Sequence, residues 1–201
     1  MIERKILVFD NYDSFTYNLV HLIEHITQQK IDVYRNDEIA LDKVNDYDKI
    51  VLSPGPGVPN EAGLLKPLIE QYGATKSILG VCLGHQAIGE VFGGELTNLK
   101  EVYHGLAMPI QVVDKSEIPE NNQVKKSILH NVPNNSLVGR YHSWVVNKAN
   151  FPKNLTITAL DENGYVMALQ HNEFDIQGVQ FHPESILTPF GKQMMENWLS
   201  Y

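Results

Sequence analysis

Hydrophobic positions in the first hundred residues follow two alternating rhythms. Residues 5–9 (KILVF), 31–34, 49–52 (KIVL) and 77–81 (SILGV) are short, nearly continuous apolar runs, the pattern of strands in a parallel sheet covered on both faces. Between them, Phe15, Leu19, Leu22, Ile23 and Ile26 recur at helical spacing behind Asp13 and Ser14, either of which is expected to cap the helix. Residues 41–47 predict a weaker helix. Directly after Val81 the period changes again, with Ala87, Ile88, Val91 and Phe92 on one helical face. This alternation predicts an α/β fold, a three-layer sandwich around a mostly parallel central sheet.

Beyond Gly94 the pattern shortens. Runs at 94–99, 108–113, 155–160, 165–170 and 176–181 predict a smaller antiparallel strand region, with DENG forming a tight hairpin turn at Asn163 and Gly164. The polar stretch 114–133 reads as an exposed excursion. Residues 188–199 predict a closing helix whose apolar side carries Phe190, Met194, Met195, Trp198 and Leu199.

Composition narrows the function classes. With 201 residues, 43% of them hydrophobic, the chain can bury one sizeable core, and a single domain over residues 1–201 is expected. The net charge of -8 is dispersed without a basic run, which argues against nucleic acid as a partner. No apolar run approaches the roughly 20 residues that a membrane-spanning helix requires, so no membrane partner is expected. One cysteine excludes an internal disulfide, and MIERKILVFD lacks the apolar core of a secretion signal; a cytoplasmic location is expected.

That cysteine, Cys82, sits where a buried strand turns into a helix, flanked as Gly80-x-Cys82-x-Gly84. This is the spacing of a nucleophile elbow with sulfur in place of oxygen. The bend lifts the side chain into a cleft at a helix N-terminus, which favours a thiolate and leaves the N–H of Leu83 free for an oxyanion. The plainer alternative is a small buried hydrophobe ending a core strand.

By the rule that ligands bind beyond the carboxyl ends of parallel strands, residues 10–14, 53–57 and 82–84 share one rim. SPGPG at 53–57 reads as a rigid loop able to hold the N–H of Gly57 toward the cleft. His182 and Glu184, two apart at a strand end, are expected on one face as a base and its orienter, although such a pair is equally an ordinary surface feature. His21 and His25 have metal-compatible spacing but no third ligand, and no metal is expected. His85 and His142 adjoin these motifs as pocket-shaping candidates.

GVCLGHQ, GVQFHPES and SPGPG, in this combination, resemble the class I, triad-type glutamine amidotransferases over nearly the whole chain, and DNYDSFTYNL at 10–19 is similar to the small subunits of chorismate-aminating synthases. The resemblance implies Cys82 as nucleophile, His182 as general base and acid, and Glu184 as its orienter. It implies oxyanion donors at Gly57 and Leu83, and contacts to L-glutamine at Gly55, Pro56, Gly57, Gln86, Ser143 and Trp144. Many relatives carry Leu at the position of Trp144.

The resemblance further implies no cofactor in this chain and a large chorismate-binding synthase subunit as partner, in a heterodimer or heterotetramer, with Mg2+ in that partner. The product expected is anthranilate, or alternatively 4-amino-4-deoxychorismate, or both. Rival readings are the same chemistry serving GMP, CTP or carbamoyl phosphate synthesis, a silent regulatory subunit, and a peptidase or γ-glutamyl hydrolase.

Overall fold

The structure, a computed structural model, describes residues 4–113 and 127–200. Strands β1 (Ile6–Asp10), β2 (Asp32–Arg35), β3 (Lys49–Leu52), β4 (Ser77–Val81) and β11 (Ile176–Val179) run parallel. Strands β10 (Val166–His171), β9 (Leu155–Leu160), β6 (Leu106–Val112) and β7 (Ser136–Arg140) continue the same sheet in antiparallel pairings. The full order is β2-β1-β3-β4-β11-β10-β9-β6-β7, and β5 (Leu96–Asn98) pairs with β8 (Trp144–Val146) as a separate ribbon.

Because β1 alternates its side chains, its odd and even positions feed two cores. Ile6 and Val8 join Leu19 and Ile23 of α1 (Thr16–Thr27) and Met194 and Trp198 of α4 (Gly191–Leu199). Leu7 and Phe9 join Leu65 and Leu68 of α2 (Leu65–Tyr72) and Ala87 and Ile88 of α3 (Leu83–Val91) on the other face. These are the three layers that the alternating pattern predicts. The chain enters β2 on one side of β1 and β3 on the other, which opens a crevice at the carboxyl ends of β1 and β3. There Asn11 donates from its backbone N–H to Ser53 Oγ at 2.8 Å and from Nδ2 to Ser53 O at 2.8 Å, fastening the two loops together.

Several local expectations are corrected. Neither Asp13 nor Ser14 caps α1, whose preceding residue is Phe15; the loop is instead closed by Asp10 Oδ1, which accepts from the Thr16 hydroxyl at 2.7 Å and the Tyr12 N–H at 3.0 Å. Residues 41–46 form a 3-10 helix. The closing helix begins at Gly191, because Thr188 is engaged in the loop before it, donating its hydroxyl to His182 O at 2.6 Å.

The hairpin at DENG is a longer turn: Gly164 alone has positive φ, at 77°, and Asp161 Oδ1 accepts the N–H groups of Asn163 and Tyr165. Of the expected excursion, 114–126 lie outside the described residues. Residues 127–133 are not an exposed loop, since Ile128, Leu129 and Val132 are buried and Ile128 donates its N–H to Gln177 Oε1 at 2.7 Å.

The antiparallel half contains an ion pair with both side chains fully buried, Arg140 Nη1 to Asp161 Oδ2 at 2.7 Å, and the guanidinium stacks 3.7 Å over the Tyr103 ring. Deleting one partner of such a pair strands the other charge away from water. Arg140→Met is therefore expected to cost about 3–5 kcal/mol, read as a lower urea midpoint at unchanged slope.

Candidate active site

Cys82 lies between β4 and α3 with φ 52° and ψ −99°, a left-handed conformation that side-chain-bearing residues rarely adopt and that costs on the order of 1–3 kcal/mol. The turn closes only because its neighbours lack side chains. A β-carbon on Gly80 would come within 2.5 Å of the Gly84 carbonyl carbon, and one on Gly84 within 2.6 Å of Leu52 O. The first turn of α3 thus rests directly on the backbone of β3 and β4. The Cys82 N–H is held by Val179 O of β11 at 2.8 Å, and Leu83, as the first helical residue, has an N–H without an intrahelical acceptor.

β11 delivers the second part of the site. It ends at Val179, and Pro183 interrupts any further pairing. His182 and Glu184 therefore do not share a strand face as expected; they sit in a turn anchored when the His182 N–H donates to Gly139 O at 3.0 Å. The turn folds Glu184 back so that its Oε1 lies 2.7 Å from His182 Nδ1, with both side chains almost wholly buried. Phe15 and Tyr141 present their rings to the imidazole at centroid distances of 5.4 and 4.8 Å, fixing its plane.

His182 Nε2 makes no hydrogen bond, and Cys82 is the group beside it. Burial alone would lower this histidine's proton affinity. The adjacent Cys82 and Glu184 outweigh burial and raise its pKa from 6.5 to about 10.

In front of Cys82 lies a pocket of about 170 Å3, lined by Gly55, Pro56, Gly57, Gln86, Ser143 and Trp144, with Val102, His104, Tyr141 and His142 completing the wall. Gly57, at φ 70°, packs against the Glu61 carboxylate, which a β-carbon would strike. The back wall is one hydrogen-bonded chain. Arg140 Nε donates to His142 Nε2 at 3.1 Å, and the other ring nitrogen lies 3.0 Å from Trp144 O. Gln86 Nε2 donates to the same carbonyl at 2.9 Å and to Gln180 Oε1 at 3.2 Å, and Gln180 Nε2 donates to Cys82 Sγ at 3.6 Å. Burial, and then the Arg140 charge, depress His142 to about 3, so its imidazole is neutral and its Nδ1 carries the proton.

The profile of the family described as glutamine amidotransferase class-I matches residues 7–200. The chain belongs to the class-I glutamine amidotransferases. It is 40% identical over 196 residues to the aminodeoxychorismate/anthranilate synthase component 2 of Bacillus subtilis, covering 96% of this chain and 95% of that protein. It is 41% identical over 203 residues to the bifunctional protein TrpGD of Thermotoga maritima, covering 100% of this chain but only 33% of that longer protein. A solved glutamine amidotransferase from Thermotoga maritima has the same fold, with a TM-score of 0.71 at 16% identity over 100% of this chain and 82% of its own.

In this amidotransferase, the residues singled out from the sequence converge. Cys82, His182 and Glu184 are contiguous, and Gly55, Pro56, Gly57, Gln86, Ser143 and Trp144 surround a single pocket with Cys82. Trp144 enters the site through its carbonyl, so a change of side chain there leaves the hydrogen bonds in place. His142 lines the pocket, whereas His85 does not: it is fully buried against Gly178 of β11, and desolvation lowers it to about 4. His21 and His25 are exposed, and among the described residues no group of three or more His, Cys, Asp or Glu is placed to hold a metal.

Gln180, Tyr141 and Phe15 were missed. The motifs GVQFHPES, RYHSW and DNYDSFTYN contain all three, but only the folded packing around His182 and Cys82 distinguishes them from ordinary core residues.

Because His182 binds its proton more tightly in the folded than in the unfolded state, the stability this supplies is complete below about pH 6.5 and is lost as pH rises toward about 10. Cys82→Ala removes a raising partner and leaves burial opposed by Glu184 alone. The imidazole titration of His182, followed by NMR, is expected to move to lower pH, and the alkaline loss of stability to shrink; an unmoved midpoint would show that Cys82 does not act on this ring.

Proposed function

We propose that this chain is the glutaminase subunit of a chorismate-aminating synthase, hydrolysing L-glutamine at Cys82 and passing the ammonia to a larger, chorismate-binding partner. The observation that carries the reading is a strained elbow cysteine beside a histidine that is itself oriented by a buried carboxylate, opening on a pocket with room for a carboxamide side chain.

In this reading the Cys82 thiolate, its proton already held on His182 Nε2, attacks the amide carbon of glutamine. The N–H groups of Leu83 and Gly57 receive the developing oxyanion, and Gly55, Pro56, Gln86, Ser143 and Trp144 enclose the substrate. His182, steadied by Glu184, gives its proton to the departing ammonia and then takes one from the water that releases glutamate from the thioester. No cofactor is needed in this chain, and Mg2+ belongs to the partner.

Ammonia is a nucleophile only while unprotonated, so its transfer requires a shielded path into an acceptor subunit. The rim around the pocket supports docking there. Ile186, 96% exposed, lies two residues beyond Glu184; Tyr12 and Tyr17 flank the loop that carries Phe15; and Val102 stands in the pocket wall. Exposed apolar side chains on the segments that carry the catalytic residues suit a protein partner.

Anthranilate is the product we favour. The name of the Bacillus subtilis relative joins aminodeoxychorismate and anthranilate, and so keeps 4-amino-4-deoxychorismate as the second product. This chemistry is assigned to the cytoplasm; among the described residues no helix is long and apolar enough to cross a membrane.

The deciding experiment combines the chain with its co-purifying large subunit, chorismate and glutamine, and identifies the aminated product. Glutamine hydrolysis is expected to accelerate on docking and to vanish in Cys82→Ser; a rate indifferent to the partner overturns the subunit reading. Ile186→Asp is expected to weaken association about tenfold or more in a pull-down titration while leaving partner-free hydrolysis unchanged.

A further inference from the structure

Gln180 lies at the end of β11, has no solvent-accessible surface and is absent from the pocket wall, yet its side chain touches the nucleophile. We propose that Gln180 is a catalytic residue in its own right: its side-chain amide donates to the Cys82 sulfur, fixes that sulfur's position and leaves the thiol proton only one direction, toward His182.

The inference rests on the polarity of the chain behind the pocket. A backbone carbonyl can only accept, so the Gln86 atom facing Trp144 O is the amide nitrogen, Nε2. That nitrogen also donates to Gln180, which must therefore offer its oxygen, Oε1. Gln180 Nε2 is then turned to Cys82 Sγ, with no alternative flip that keeps both bonds. The carbonyl at the head of this chain is itself pinned. His142 donates to it through Nδ1, because its other nitrogen accepts from Arg140, whose guanidinium has no acceptor atom and is anchored on Asp161. Arg140, Asp161 and His142 are positioning residues, acting through Gln86 and Gln180.

Two consequences follow at the sulfur. As an acceptor from Gln180, Sγ can place its own proton only on another neighbour, and His182 Nε2 is a buried nitrogen beside it with no other hydrogen-bond partner. When the thioester is later hydrolysed, the carbon–sulfur bond breaks and its electron pair remains on sulfur. The Gln180 N–H already faces the atom that receives that charge.

The inference rests on Cys82 being the nucleophile, so its test includes a reaction that needs no glutamine. Gln180→Met keeps an unbranched side chain of similar length but removes the donor. Alkylation of Cys82 by iodoacetamide is expected to slow about tenfold to a hundredfold, with a comparable fall in kcat. Gln180→Glu retains an acceptor for Gln86 and, ionised, offers no donor to sulfur; kcat and alkylation are expected to fall while KM changes less than about threefold. A purely structural role would instead lower Tm and raise KM, leaving alkylation of the folded fraction at the original rate, and that result overturns the proposal.

Should both variants fail to fold, the same contact is read from the other side. In Cys82→Ala the Gln180 side-chain amide proton should shift in the NMR spectrum, whereas that of Gln193, bonded to Asn131 O, stays in place; an unmoved Gln180 signal is equally fatal. Slowed alkylation together with no glutamine hydrolysis by the unmutated protein even with its large subunit bound would sink the functional reading and leave this contact standing.

Discussion

Everything at the active site depends on how closely α3 approaches the sheet. A helix normally stands off a sheet by the thickness of its side chains; here the first turn of α3 meets β3 and β4 backbone to backbone at Gly80 and Gly84. That contact forces Cys82 into its left-handed conformation, and the surrounding structure must hold it there against the strain. The holding is specific. The Cys82 N–H is bonded into β11, the strand that leads to Gln180 and His182, so the interaction that secures the elbow also sets its distance from the acid–base pair.

The two halves of the sheet divide the work. Parallel strands bring the elbow, the Ser53–Gly57 loop and the Asn11 loop to one rim, as the crevice between β1 and β3 requires. The antiparallel half supplies the back wall, for Arg140 ends β7, Trp144 begins β8 and Asp161 follows β9. The buried Arg140–Asp161 pair is costly to desolvate, and well-packed apolar residues would often serve stability as well. Its value here is directional, since a guanidinium that can only donate sets the protonation of His142 and pins the carbonyl of Trp144.

Much of this was legible in the sequence, for a physical reason. The apolar runs at 49–52 and 77–81 became strands with those bounds, because a strand covered on both faces reads as a nearly continuous apolar run, with Lys49 and Ser77 at the starts bonded to each other. Gly80 and Gly84 marked the elbow because close backbone approach has few other solutions.

What failed were features decided by distant partners. Asp13 and Ser14 had good capping chemistry, but α1 has no side-chain cap: Asp10 shapes the loop through the Thr16 hydroxyl and Asp13 is engaged with the Phe15 N–H. β7 and β8 gave no separate signal, since Ser136–Arg140 and Trp144–Val146 are short and their burial comes from strands remote in sequence. His182 and Glu184 were paired correctly for the wrong local reason: a turn around Pro183, not strand alternation, brings them together.

Opposing influences meet at His182, which is buried yet lies beside two groups that favour its charged form. An imidazole so enclosed should be neutral; Cys82 and Glu184 reverse that, so it holds its proton more tightly than burial alone would allow. The sulfur in turn is held by Gln180, the Cys82 backbone N–H by the β11 carbonyl of Val179, and the loop bearing His182 reaches the exposed Ile186 two residues beyond Glu184. A partner that buries Ile186 would therefore press on the same short segment that carries the acid–base pair. Displacing His182 from Cys82 would lower the proton affinity of the imidazole. Coupling of docking to glutamine hydrolysis then needs no long pathway through the fold, only the few residues between a side chain in water and a side chain that is not.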